Sequence, residues 1–208
     1  LALFRTHYYG GIKKYQWVAI PLSLHGLVVK ADGSVLPIQV GEDPDDPVLV
    51  INDLLPHLSG KTQDQKKLAE GIEGEKLTAL AGSLPYPDGE AKERIKLQVL
   101  ELLHKKYGLV EEDFTSAELE LVPAMKARDV GLDRSLIGAY GQDDRASAYT
   151  SLQAVLALKD PPRPVLALFV DKEESKQTAK GTLVQGSLTS SSFYYTENGG
   201  ALAGTAGT

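Results

Sequence analysis

The chain contains no cysteine, so within these residues disulfides, thiolate metal sites and a cysteine nucleophile are excluded. Any metal held here must rest on Asp, Glu and the 4 histidines. Long apolar runs are missing too: nothing approaches the roughly 18 consecutive apolar residues of a membrane-spanning helix. Positive charge is in short supply, with 22 Lys and Arg against 28 Asp and Glu and a net charge of -6. No basic excess is available to neutralise phosphates, so a nucleic-acid partner is not expected. The opening "LALFRTHYYGG" has no charged stretch leading into an apolar core and a small-residue cleavage site, so it does not read as a secretory signal. It starts without methionine in the middle of an apolar run. The expectation is an internal segment of a longer, cytoplasmic protein.

What remains is ordinary. The 208 residues are 42% hydrophobic and 24% charged, the composition of a soluble globular chain. The first 50 residues read as β-structure, with apolar, β-branched runs in "YQWVAIPLSL", "GLVVKADGSVLPIQV" and "PVLVIN". Asp32-Gly33 lies between two of them and predicts a hairpin. Residues 59–72, polar and without period, read as a mobile loop, and "KLTALAGSLP" as a further short strand. Ile95, Val99, Leu102, Leu103 and Tyr107 recur at helical spacing, with Asp88 as the expected cap and Gly108 as the stop. "TSAELELV" alternates as a strand should.

Beyond residue 125 the pattern changes. "SLIGAYG" reads as a short strand and "DDRASAYTSLQAVLAL" as a helix with Tyr149, Leu152, Val155 and Leu156 inward. "VLALFV" has the unbroken apolar character of a strand buried on both faces of a parallel sheet. Strand, helix and strand in that order predict a βαβ unit. In open α/β sheets, sites lie beyond the carboxyl ends of the strands. Both acidic clusters, "GQDD" and "VDKEE", fall at such ends. They are open to two readings: solvated charges in polar loops, or carboxylates gathered for metal. Hard divalent ions and zinc accept Asp and Glu oxygens. In an adjacent pair such as Glu173-Glu174, one residue can bind metal while the other takes a proton from water.

Other motifs fail. "SGKT" has Leu55 where a phosphate-binding loop needs its first glycine. "GEDPDDP" lacks the glycine and distal glutamate of a calcium loop. Neither H-E-x-x-H nor G-x-S-x-G occurs. His25 and His104 have no evident partner, and His104 reads as a surface residue near a helix end. The tail from residue 176 is rich in Gly, Ser, Thr and Ala and predicts strand fragments at most.

"GAYGQDDRASAYTSLQAVL" followed by "VLALFVDKEES" closely resembles the aspartyl aminopeptidase and vacuolar aminopeptidase I family of metallopeptidases, in its bacterial form. "THYYGGIKKYQW", "GEDPDDPV", "INDLLPHL" and "ELELVPAMKARDVGLDRSLIGAYGQDD" extend the resemblance from Leu1 to about Glu174. It implies an α/β fold in which a partial metallopeptidase core, mainly parallel sheet, is interrupted by an inserted strand-rich dimerisation domain with one long helix. Residues 1–19 would begin the core, 20–124 form the insert, 125–175 supply the βαβ segment and 176–208 a divergent tail. The resemblance also implies peptide substrates, two divalent ions (zinc, with cobalt or manganese as alternatives) and a tetrahedral dodecamer built from dimers. By motif, Asp143 matches the carboxylate bridging the metals, Glu173 the general base and Glu174 a metal ligand. His57 matches a histidine of the insert that reaches a neighbouring subunit's site; read from the residues alone, it is a loop or core histidine.

The departures matter equally. The family's His-x-Asp motif would fall shortly before Leu1; His7 does not supply it, because position 9 is Tyr. A further aspartate and histidine expected after "DKEE" are not identifiable, and "SKQ" stands where the family has Ile-Gly-Ser. A chain with the insert and half a core would also fit an assembly module without activity.

Overall fold

The computed structural model describes residues 1–8, 12–171, 184–188 and 196–197. The chain divides into two compact units, one of residues 1–9 and 13–124, the other of residues 10–12 and 125–208.

In the first unit β1 (Ala2–Arg5), β2 (Leu22–Val29), β3 (Val35–Val40), β4 (Val50–Ile51), β5 (Thr78–Gly82) and β6 (Ala117–Pro123) form two antiparallel sheets. Their orders are β1-β5-β4 and β3-β2-β6. The hairpin at Asp32-Gly33 is present, with Leu24 opposite Val40 and Val29 opposite Val35. Gly33 sits at φ 81, and Asp32 accepts bonds from the Ser34 backbone N–H and hydroxyl, so the turn is locally closed. Isolated bridges at Val18–Ile51 and Leu22–Leu49 tie the two sheets together.

The short helices α1 (Pro56–Ser59) and α2 (Leu68–Gly71) precede the long α3 (Arg94–Tyr107). Ile95, Val99, Leu103 and Tyr107 lie on its half-buried stripe, whereas Leu102 is exposed. Gly108 ends α3 at φ 66 with its N–H on the His104 carbonyl, a left-handed cap that glycine accepts without penalty. The expected Asp88 cap is not used. Asp88 accepts the Glu90 N–H at 3.0 Å, closing a turn ahead of the helix, and Glu93 occupies the cap position. Leu24, Val28, Ile38 and Leu109 form the core, joined by Phe4, Leu36, Leu103, Tyr107, Leu119 and Leu121. Trp17 is buried and donates its indole N–H to the Leu121 carbonyl at 3.2 Å.

The second unit holds β7 (Arg128–Val130), β8 (Leu136–Gly138), α4 (Gln142–Leu156), β9 (Ala167–Asp171), β10 (Val184–Leu188) and β11 (Thr196–Glu197). Three of the expected features are corrected. The strand-helix-strand order exists as β8-α4-β9, but β8 joins the antiparallel sheet β11-β8-β7 while β9 pairs in parallel with β10. Chain order fixes which elements exist, whereas sheet membership depends on partners far along the chain. Among the described pairings between named strands β9–β10 alone is parallel. The inward face of α4 also differs. Beyond its first turn Ala148, Ser151 and Val155 are the half-buried positions and Tyr149, Leu152 and Leu156 are exposed, because small residues let the helix approach β9 and β10. Leu166, Leu168 and Phe169 are likewise exposed, so this run is not covered on both faces by the described residues. Among those residues no helix is long and apolar enough to cross a membrane.

Candidate functional site

β8 ends at Gly138, and three residues later Gly141, at φ 74, turns the chain into α4. A side chain placed immediately after that turn is held by a strand on one side and a helix on the other. Gln142 secures the junction by donating its amide to the Ile137 carbonyl at 2.6 Å. Asp143 is the next residue, half-buried in the first turn of α4. The start of a helix favours negative charge, the form in which a carboxylate ligates a cation. Asp143 therefore stands beyond the carboxyl end of β8.

Glu173 and Glu174 lie outside the described residues; β9, the strand leading to them, is described through Asp171. His57 belongs to the first unit, exposed on α1. Among the described residues no three His, Asp or Glu side chains are close enough to hold a metal ion. Asp143 alone represents the expected donor set there. Its oxygen chemistry suits zinc, but one carboxylate falls short of the roughly four ligands such an ion takes. A separate cleft is lined by Arg128, Asp129, Arg134 and Ile137, and neither Asp143 nor His57 lines it.

Two arrangements escaped the reading of the residues. His25, thought partnerless, places Nε2 2.9 Å from Glu42 Oε1 and 3.1 Å from Ser23 Oγ. The hairpin register sets Leu24 opposite Val40 and His25 opposite Gln39, and Glu42, two residues past the end of β3, reaches both Ser23 and His25; that register was the available signal. Ser23 is fully buried, so this network supplies its hydroxyl with partners. The other arrangement surrounds His57. The segment read as mobile is closed by short-range bonds: the Ser59 carbonyl accepts N–H groups from Thr62 and Gln63, and Asp53 accepts the Gln63 amide at 3.0 Å. Polar side chains bonding to nearby backbone build structure without any apolar period.

A family model described as Aminopeptidase I zinc metalloprotease (M18) matches residues 1–199. The chain belongs to the M18 family. M18 family aminopeptidase 1 of Clostridium acetobutylicum is 53% identical over 174 residues, covering 84% of this chain and 37% of that protein. The Thermotoga maritima relative is 52% identical, with coverage of 84% and 38%. A solved M18 aminopeptidase from Thermotoga maritima has a TM-score of 0.69 at 54% identity, over 76% of this chain and 34% of that one. Aminopeptidase I from Clostridium acetobutylicum gives 0.69 at 51% identity, over 76% and 35%. The M18 chain thus has the mixed helix and sheet of its relatives and spans little more than a third of their length.

Proposed function

We propose that the full-length protein containing this chain is a metal-dependent aminopeptidase that removes acidic or neutral N-terminal residues from peptides. The continuous match to a zinc metalloprotease family carries this reading, and the position of Asp143 at the head of α4 supports it. In this reading residues 20–124 are an inserted dimerisation domain within a partial metallopeptidase core, and the protein is a cytoplasmic homo-oligomer, a tetrahedral dodecamer built from dimers. Asp143 and Glu174 would contribute ligands to two divalent ions, zinc in the first instance. When bound, zinc supplies Lewis acidity that polarises the first carbonyl of the peptide. Glu173 takes a proton from the attacking water and passes it to the leaving amine. His57, donated by a neighbouring subunit, binds the substrate or its developing negative charge.

In the full-length enzyme, Glu173→Gln should lower kcat by ~10²–10⁴ with metal content unchanged, whereas Asp143→Ala should lose metal. Metal analysis beside steady-state kinetics separates the two roles. A Glu173→Gln variant with near-normal kcat would remove Glu173 as the base. Two metal equivalents retained by Asp143→Ala would remove the bridging assignment.

A further inference from the structure

A ligating side chain works only when it is held within about 0.5 Å of its productive position, so whatever fixes the head of α4 also fixes Asp143. The turn into that helix has little rigidity of its own. Gly141 is buried at φ 74 and occupies the cap position, but as a glycine it has no side chain with which to bond the first N–H groups of α4. Glycine permits the left-handed turn without restricting it. Gln142 supplies the restraint. Its side-chain amide donates to the Ile137 carbonyl at 2.6 Å, reaching back across residues 138–141. Ile137 is the middle residue of β8, and β8 is the central strand of β11-β8-β7, with Asp129 paired on one side and Thr196 on the other. The bond thus ties the first turn of α4 to the centre of a sheet rather than to another loop. Asp143 follows directly, and one planar peptide carries any displacement of Gln142 to it.

We propose that Gln142 is a positioning residue for Asp143, setting the place and direction at which that carboxylate meets a metal ion. The inference rests on the reading of Asp143 as a metal ligand, and it gives Gln142 no contact with metal or substrate. Residues that orient a ligand without touching the ion change metal affinity by roughly 10–100-fold when they are lost. Glutamine suits the task by reach and by chemistry. Asparagine is one methylene shorter, and an ionised glutamate of equal length would set one acceptor against another.

The test uses the full-length protein with Gln142→Met and Gln142→Glu, two substitutions of similar length that cannot donate to the Ile137 carbonyl at neutral pH. Gln142→Asn, which keeps the donor but falls short, gives a further arm should either fail to fold. In competition with a chromophoric chelator, the variants should bind zinc roughly 10–100-fold more weakly than the parent. Cobalt substitution separates positioning from stability, because the visible bands of bound cobalt report the geometry of its ligands. Those bands should shift in the variants. Parent affinity in the folded variants would overturn the proposal, and so would a lowered Tm accompanied by parent cobalt bands, which would mark Gln142 as structural only. Asp143→Ala is measured beside them. If it keeps two metal equivalents, the ligand reading falls and the proposal falls with it. If it loses metal while the Gln142 variants bind as the parent does, the proposal alone falls.

Discussion

Glu73 lies between two lysines, with Lys66 Nζ 2.8 Å from Oε1 and Lys76 Nζ 2.7 Å from Oε2. These bonds, Lys66 first, pull its carboxyl from 4.5 to about 2. A folded value below the unfolded one means that the contribution to stability is present above about pH 4.5 and is lost as the pH falls toward 2. An NMR titration should find the Glu73 carboxyl still ionised where ordinary glutamates have protonated, and Lys66→Ala should move it back upward. A Glu73 midpoint among the other glutamates would contradict the geometry. At this scale legibility was uneven. Asp143 could be placed because its motif combines a strand end with a helix start, both local features. His57 was visible through resemblance alone, since nothing near it in sequence marks it as functional. The Ser23, His25 and Glu42 network was hidden because its parts meet across a hairpin register.

At the scale of elements, the strands and long helices were legible wherever a period and a stop coincide. The hairpin at Asp32-Gly33 has its turn residues, and α3 has both a stripe and Gly108. Where small residues do the packing, as Ala148 and Ser151 do on α4, hydrophobic pattern points to the wrong face. The crossing of β2 and β6 has a further requirement that no pattern shows. Gly26 stands at φ 149, and a Cβ built there would lie 1.9 Å from the Glu118 carbonyl oxygen. Since that oxygen is backbone, the strands must separate to make room. Gly26→Ala should therefore cost roughly 3 kcal/mol, combining overpacking with a backbone conformation that alanine resists. Denaturant unfolding followed through Trp17, which is bonded to β6, should report a lowered midpoint. A midpoint within error of the parent would mean that β2 and β6 are not so closely apposed.

For the whole molecule, composition limited the chemistry more firmly than pattern fixed the architecture. Without cysteine, and with no core histidine matched to the family's metal ligands, the 208-residue chain should bind zinc weakly. After dialysis it should retain less than one equivalent, whereas the full-length protein should retain its metal; two equivalents on the short chain would show a complete donor set within it. The sheet around β2 has a different consequence. Its pairing with β3 closes a tight turn, but its pairing with β6 joins Leu22 to Pro123 and Val28 to Ala117. On a chain emerging from the ribosome, the hairpin forms within microseconds and then waits for the 83 residues from 41 to 123 to be synthesised. At rates of roughly 5–20 residues per second, that interval lasts seconds. Throughout it, the free edge of β2 offers unpaired N–H and C=O groups to any other nascent strand nearby. Crowded translation of this message should therefore favour aggregation through β2, and slower initiation, which spaces the ribosomes, should increase the soluble yield.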